Sequence, residues 1–285
     1  MTTLTRLPIG LSSWAQIRRE QLFFCDKTEQ LSQLVQHFPR AFLAAPRRSG
    51  KTLLCSQLTE LYTLGTELFT GTKAEFRWPQ SLRAAVVNLK FGTVPANQNF
   101  EANLCVRLAT AFIMAGLVES TAALEQENLV ALMAQLELLT QGQDLVILID
   151  EWDKPLSAGT DRAIEARLNT FYAWLSSLEN IKFLLITGIM HYRETDVFLG
   201  PDLRDLGQEP CAPALLGLTL DEVSAIYSDY LDQATQRLNT SREVLLAQIK
   251  QHYGQNGTYS PWILNQFFEP LTLPGELKPQ WVKFR

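Results

Sequence analysis

The stretch Ser49-Gly50-Lys51-Thr52 has the residue types that bind phosphate at the start of a helix. It follows the apolar run 41–45 and precedes the segment 53–58, which can continue as a helix. Free backbone amides at a helix N-terminus, together with the helix dipole, attract phosphate. In such a layout the Lys51 ammonium reaches the terminal phosphates and the Thr52 hydroxyl binds Mg²⁺. The segment therefore predicts a site for a nucleoside triphosphate, ATP or GTP.

The loop matches the phosphate-binding pattern only in part. The pattern has a glycine five residues before Gly50, where this chain has Ala45. Because alanine tolerates positive φ poorly, we expect ordinary backbone angles at that position. A lone Gly-Lys-Thr also fits a helix N-terminus with a solvated lysine, and this alternative stays open on the loop alone. The candidate phosphate-binding residues are Ala45, Pro46, Arg47, Arg48, Ser49, Gly50, Lys51 and Thr52.

Two acidic residues, Asp150 and Glu151, follow the apolar, β-branched run 145–149. The run predicts a central strand buried on both faces. Open α/β sheets bind ligands at the carboxyl ends of their strands, so Asp150 is placed to bind Mg²⁺ and Glu151 to polarise an attacking water. The alternative is a pair of acids that ends a strand and faces solvent. The upstream Gly-Lys-Thr loop favours the site, since the two motifs need each other.

Composition limits the class of protein. The chain has 285 residues, of which 46% are hydrophobic and 19% charged, as in a globular protein with a substantial core. A net charge of −5 excludes a whole-chain basic field that would draw it to nucleic acid or acidic lipid. No apolar leader or membrane-length run is evident, which predicts a soluble cytoplasmic protein. The widely spaced cysteines predict buried free thiols: Cys25, Cys55, Cys105 and Cys211.

Strand-like and helix-like segments alternate along the chain. The alternation implies right-handed crossovers and a mainly parallel sheet covered by helices. Apolar patterns predict strands at 23–25, 41–45, 84–89, 145–149, 181–187 and 214–218, and helices over 100–112, 129–139 and 164–178. We predict an α/β P-loop NTPase fold, with an ATPase core and N-terminal extension over residues 1–218. A small helical C-terminal domain is predicted over residues 219–285, opened by a capping box at Thr219 and Glu222.

Thr187 ends the strand predicted at 181–187. One extra strand separates the phosphate loop from the Asp150 strand, as in nucleotide hydrolases with a glutamate beside the Mg²⁺ aspartate. In that topology the Thr187 strand lies between the other two, and its hydroxyl could hydrogen-bond the γ-phosphate or the lytic water. A strand-end threonine bonded to backbone is the open alternative.

Several strings together resemble the AAA-ATPase-like family of bacteria and archaea, a group of P-loop proteins. They are Leu-Pro-Ile-Gly at 7–10, Phe-Cys-Asp-Lys-Thr at 24–28, Pro-Arg-Arg-Ser-Gly-Lys-Thr at 46–52, Ile-Leu-Ile-Asp-Glu-Trp-Asp-Lys-Pro at 147–155, the strand 183–188 and Tyr-Ser-Pro-Trp at 259–262. The resemblance covers nearly the whole chain and implies a Mg²⁺-dependent ATP hydrolase. Many members carry a C-terminal PD-(D/E)xK nuclease-like domain. This sequence ends near where that domain would begin, and no nuclease motif is found.

The chain departs from the family at two further positions. Members usually have an acidic residue where Lys90 stands and an arginine near His191. The second difference puts a sensor role at His191 in doubt, and Arg193 is a candidate substitute.

Other residues near the motifs have both structural and functional interpretations. Of Arg47 and Arg48, we expect one to clamp phosphate oxygens and the other to pair with a carboxylate such as Asp153. A buried Asp153–Lys154 ion pair is the favoured interpretation of those two residues. Asp26 is expected to cap a helix rather than support the nucleotide pocket, and Trp152 is expected to pack beside the site.

The residues predict an ATP-binding protein in which Mg²⁺-dependent hydrolysis drives a conformational change between the core and the helical tail. Lys51 and Glu151 are the catalytic candidates, and Thr52 and Asp150 the metal ligands. The alternative is a nucleotide-dependent interaction module that hydrolyses little and recruits a protein or DNA partner. The sequence specifies neither the preferred base nor the oligomeric state.

Overall fold

Five parallel strands form one sheet in the order β2-β3-β4-β1-β5. The computed structural model describes residues 4–157, 159, 161–198, 200, 202–209, 215–254 and 257–272. The strands are β1 Arg40–Ala44, β2 Ala85–Lys90, β3 Leu145–Asp150, β4 Ile181–Gly188 and β5 Arg204–Asp205. Strand β4 lies between β1 and β3, so the predicted topology and the α/β P-loop fold class are confirmed.

Helices cover both faces of the sheet. They are α1 Trp14–Arg19, α2 Thr28–His37, α3 Lys51–Leu64, α4 Lys73–Arg77, α5 Phe100–Met114, α6 Leu129–Leu139, α7 Arg162–Ser177, α8 Leu220–Ile226, α9 Ser228–Leu238, α10 Arg242–Tyr253 and α11 Pro261–Phe268. The three stripes predicted as helices coincide with α5, α6 and α7.

Side chains along β3 point alternately to the two faces of the sheet, so this strand contributes to two hydrophobic cores. Ile147 and Ile149 belong to the core under α5, α6 and α7. Val146 and Leu148 belong to the core under α1, α2, α3 and α4, since successive side chains of a strand point to opposite faces. All six residues of β3 are buried, as the unbroken apolar run predicts.

The predicted strand at 23–25 is wrong, because no strand is assigned there. The Phe23 amide donates to the Arg6 carbonyl, and the Phe23 ring packs on Tyr227 and Tyr230. The apolar character of this segment therefore reflects contact with the C-terminal helices.

The predicted strand at 214–218 is also wrong in its described part. Residue 214 lies outside the described residues, and Leu218 forms an isolated antiparallel bridge with Tyr259. The fifth strand of the sheet is instead Arg204–Asp205, which pairs with Ala41 and Phe42 of β1. Two polar residues at a sheet edge have no apolar pattern by which they could be recognised.

Helices α8 to α11 form the predicted helical C-terminal region. The capping box is present, with the Thr219 side chain accepting from the Glu222 amide and the Glu222 carboxylate accepting from the Thr219 amide. These helices share one hydrophobic cluster with Leu7 from the N-terminal segment. The Lys27 ammonium lies 2.6 Å from the Glu222 carboxylate and joins the two regions again. The boundary at 218/219 stays a prediction.

Cys25, Cys55 and Cys105 are free thiols, and Cys55 and Cys105 are buried. Cys211 lies outside the described residues. Burial raises the pKa of the Cys25 thiol to about 12. Within the described ranges, no helix combines the length and apolarity needed to cross a bilayer.

Trp14 holds α1 against the helix that follows the phosphate loop. It is fully buried, its amide donates to the Ser56 hydroxyl at 2.9 Å, and its ring stacks on Phe69. We expect Trp14→Ala to lower the free energy of unfolding by about 3–5 kcal/mol, because it leaves a large cavity behind α3. Urea unfolding measures the change. Trp174→Ala, at a half-exposed tryptophan of α7, is the control and should cost less; equal costs would contradict the prediction.

Candidate functional site

The loop between β1 and α3 joins the C-terminal end of a buried strand to the start of a helix. Helix α3 begins at Lys51, and its N-cap residue Gly50 has φ +108°. Arg48 is also left-handed, with φ +65°, whereas Ala45 is not among the residues with positive φ. The expectation of ordinary backbone angles at Ala45 is therefore confirmed, and the tight turn lies at residues 48–50 instead.

The Lys51 ammonium is folded back over this loop. Its Nζ atom donates to the Ala45 carbonyl at 2.6 Å and to the Pro46 carbonyl at 2.8 Å. Burial lowers the pKa of Lys51, while the nearby Asp150 and Asp153 carboxylates act in the opposite direction. The residue is only 8% exposed, so the alternative of a solvated lysine is wrong. A poorly hydrated cation at a helix N-terminus is a strong point of attraction for an anion.

Asp150 links three elements of the site. Thr52 of α3 donates to its Oδ2 atom, and Thr187 of β4 donates to its Oδ1 atom, both at 2.7 Å. Asp150 is 2% exposed and Thr187 is fully buried. For Asp150, the alternative of a solvent-facing strand end is thus wrong. For Thr187, the structure gives a carboxylate as the partner of the hydroxyl rather than backbone.

Glu151 faces solvent beside this network. Its φ of +57° is unusual for a residue with a side chain and turns the chain sharply after β3. The turn is held by the Trp152 amide, which donates to the Thr187 carbonyl at 3.0 Å. The carboxylate is directed toward Gly92, just beyond the end of β2. An exposed carboxylate next to a buried, hydrogen-bonded one is a suitable arrangement for two different roles in one site.

Trp152 and Asp153 fix the loop after β3 to the loop after β4. The Asp153 Oδ2 atom accepts from the Ile189 and Met190 amides, and the Trp152 indole donates to the Met190 carbonyl. Asp153 is 6% exposed. The expected pairing of Asp153 with a loop arginine or with Lys154 is therefore replaced by bonds to backbone amides. Trp152 packs beside the site as expected.

The phosphate loop also contacts the helical C-terminal region. The Arg48 guanidinium lies 3.8 Å from the centre of the Trp262 ring, and the Ser260 hydroxyl donates to the Arg48 carbonyl at 2.6 Å. Leu216 also approaches the loop, 3.6 Å from where a Cβ atom on Gly50 would lie. These contacts place the start of α11 directly on the loop. Arg47 is exposed.

His191 follows the C-terminal end of β4. The family that the sequence resembles usually has an arginine near this position. Its Nε2 atom is 2.6 Å from the Asp205 carboxylate, and its Nδ1 atom is 3.2 Å from the Arg193 amide. With Nδ1 accepting from an amide, Nε2 is the protonated nitrogen that donates to Asp205. Arg193 is exposed, with its guanidinium 5.6 Å from the Tyr192 ring. Both ring nitrogens of His191 are thus engaged within the fold.

Lys90 lies next to Asp150 in the sheet, whereas Asp26 lies at the starts of two helices. Lys90 ends β2 in register with Asp150 on β3, and its side chain is exposed. Asp26 accepts from the Thr28 amide and hydroxyl at the start of α2, and its second oxygen accepts from the Lys73 amide at the start of α4. Asp26 therefore accepts from the first amide of both helices, although their N-cap residues are Lys27 and Thr72.

Sequence reasoning missed several contacts of the site. The His191–Asp205 pair depends on a two-residue edge strand, and the Gly92–Glu151 contact joins residues 59 positions apart by their numbers. Neither has a local pattern. The string 259–262 is part of the family resemblance, but its contact with Arg48 depends on how the C-terminal helices pack.

Comparison with known proteins places this arrangement in a family. Residues 8–198 match the family described as Predicted AAA-ATPase. The chain belongs to this family. Membership in the AAA-ATPase-like family supports a nucleotide-binding, ATPase-like role.

Two individual proteins are also similar to this AAA-ATPase-like chain. One is an uncharacterised protein in the vnfD 5′ region of Azotobacter chroococcum mcd 1, which is 29% identical over 241 residues, spanning 79% of this chain and 45% of that relative. The chain therefore spans less than half the length of this curated relative. The other is the Walker-type ATPase of Pyrococcus abyssi, with a TM-score of 0.46 and 14% identity over 88% of this chain and 68% of that one.

We expect Thr187→Val to lower the free energy of unfolding by about 1.5–3 kcal/mol in the ligand-free protein. The substitution keeps the shape of the side chain but removes the hydroxyl that donates to the buried Asp150 carboxylate. Thr187→Ser keeps the donor and is the matched control. Chemical denaturation measures both, and a valine variant as stable as the parent would contradict the prediction.

Proposed function

We propose that this protein binds ATP and hydrolyses it weakly with Mg²⁺, and that hydrolysis changes the contact between the core and the C-terminal helices. The observation that carries the proposal is the Thr52–Asp150–Thr187 network beside the Lys51 ammonium. It joins a phosphate-loop helix to the two strands that end at the same edge of the sheet.

The phosphates would bind over residues 45–52. The amides at the start of α3 and the Lys51 ammonium supply the positive charge, with Lys51 exchanging its two carbonyl acceptors for phosphate oxygens. These carbonyl bonds hold the ammonium over the loop before a ligand arrives. Arg47, which is exposed at the loop surface, supplies a second cation for phosphate oxygens.

The residues present fit Mg²⁺, because Thr52 and Asp150 offer hard oxygen donors 2.7 Å apart at the end of the phosphate loop. When bound, the ion would neutralise phosphate charge. Thr187 holds the Asp150 carboxylate in place through its other oxygen. Glu151 remains exposed next to it and is the candidate to orient the attacking water and accept its proton.

The test is phosphate release by purified protein with ATP and Mg²⁺. We expect Glu151→Gln to lower turnover by about 10²-fold or more while ATP still binds, because it removes the general base. Lys51→Ala should lower both ATP affinity and turnover. Glu179→Gln and Lys73→Ala, at an exposed acid and an exposed lysine away from the site, are controls. Equal phosphate release from the parent and both site variants would contradict the catalytic assignment.

A nucleotide-dependent interaction module is the second candidate function. Ala45 at the first glycine position and the missing arginine near His191 favour it, since both depart from the pattern of an active hydrolase. Such a module would bind ATP and recruit a protein or DNA partner. Tight ATP binding in a calorimeter without turnover, even with DNA added, would select this alternative. Titration with GTP in parallel decides the base preference.

The contacts of Arg48 support a coupling between nucleotide binding and the position of the C-terminal helices. Its guanidinium stacks on Trp262, and its carbonyl accepts from Ser260. A cation over an indole ring contributes about 0.5–2 kcal/mol. A guanidinium can instead make charge-assisted, bidentate hydrogen bonds to phosphate oxygens. Bound phosphate would therefore compete with Trp262 for Arg48 and loosen α11 from the loop.

We expect ATP to increase amide hydrogen exchange at the start of α11, because the stack on Trp262 is lost. In Trp262→Ala the same region should exchange rapidly with or without ATP. Trp262→Phe keeps an aromatic face and should retain most of the ATP effect. Exchange that does not respond to ATP in the parent protein, at saturating concentration, would contradict the proposed switch.

A further inference from the structure

The carboxylate of Glu151 occupies the space that a side chain at Gly92 would fill. A Cβ atom built on Gly92 would lie 1.7 Å from the Glu151 Oε2 atom, 2.9 Å from its Cδ atom and 3.7 Å from its Oε1 atom. All three of the nearest atoms belong to Glu151. The contact is therefore specific to one pair of residues, which come from the ends of adjacent strands β2 and β3.

The backbone on both sides of this contact is fixed. On the Glu151 side, the Trp152 amide donates to the Thr187 carbonyl and the Lys154 amide donates to the Glu151 carbonyl at 2.9 Å. On the Gly92 side, the Val94 amide donates to the Phe91 carbonyl, and the Thr93 hydroxyl donates to the Lys90 carbonyl. The remaining freedom of the carboxylate thus lies in its side-chain torsions.

We propose that Gly92 is a positioning residue for Glu151: because residue 92 has no side chain, the Glu151 carboxylate can occupy the space beside it, at the edge of the nucleotide site. This inference rests on the proposed function, in which Glu151 orients water. An exposed glutamate otherwise samples several rotamers. A general base must lie within hydrogen-bond distance of its water, and a misplacement of about 1 Å can lower a rate by about 10²-fold.

An alanine at this position isolates the steric effect. Gly92 is not among the glycines with positive φ, so its backbone conformation is open to other residues. The added methyl group would meet only the flexible end of Glu151, which can swing into solvent. Gly92→Ala should therefore move the carboxylate by about 1.5 Å or more, the distance needed to reach ordinary van der Waals contact, and leave the fold intact.

Steady-state kinetics is the first test. We expect Gly92→Ala to lower kcat for ATP by about 10-fold to 100-fold and to leave the Kd for ATP within about twofold. Thr93→Ser, in the same turn, keeps the hydroxyl that donates to the Lys90 carbonyl and adds no atoms near Glu151; it is the control and should keep kcat within about twofold. In a Glu151→Ala background, Gly92→Ala should cause no further loss of kcat, because the carboxylate that the methyl group would displace is absent. A kcat for Gly92→Ala within twofold of the parent, or the same fractional loss in both backgrounds, would overturn the proposal.

Crystal structures of the nucleotide-free parent and Gly92→Ala provide a readout that needs no activity. The expected result is a displaced Glu151 carboxylate with Asp150, Thr52 and Thr187 unmoved. An unmoved Glu151 carboxylate in the variant would overturn the inference. The two proposals also fail differently: a parent protein without turnover contradicts the proposed function, whereas an active parent with an equally active Gly92→Ala contradicts only the role of Gly92.

Discussion

The buried carboxylate of Asp150 is the interaction on which the rest of the site depends. At 2% exposure it cannot be stabilised by bulk water, and it accepts one hydroxyl hydrogen bond on each oxygen instead. The donors come from α3 and β4, so the charge ties the phosphate-loop helix to the central strands. The buried carboxylate receives both hydrogen bonds only when α3, β3 and β4 are correctly placed. The stability of the fold and the geometry of the site therefore depend on each other.

The other contacts around Asp150 extend the same arrangement outward. Asp153 binds the two amides that follow β4, and Trp152 closes the same gap with its indole. The loops after β3 and β4 are thereby held as one unit. On the opposite side, the phosphate loop contacts the C-terminal helices through Arg48. One half of the site thus consists of strand ends joined by hydrogen bonds, and the other half contacts the C-terminal helices.

Much of this arrangement could be predicted from the sequence, for physical reasons. A short, β-branched apolar run such as 145–149 favours a strand covered on both faces, and the ends of parallel strands meet at one edge. The positions of Lys51, Thr52, Asp150 and Thr187 follow from that. Three other features depend on tertiary packing between distant segments, and no periodic pattern in the sequence predicts them. They are the two-residue strand β5, the amide partners of Asp153 and the space beside Gly92 that Glu151 occupies.

The shared cluster of Leu7 and the C-terminal helices has a consequence for how the chain is made. Leu7 leaves the ribosome before the residues that cover it, Leu218 to Leu271, which lie more than 200 positions later in the sequence. The sheet around β1, β3 and β4 can assemble earlier, since domains generally fold as their residues emerge. The N-terminal segment therefore stays uncovered until the C-terminal helices have emerged, and during that interval its apolar residues are accessible to chaperones.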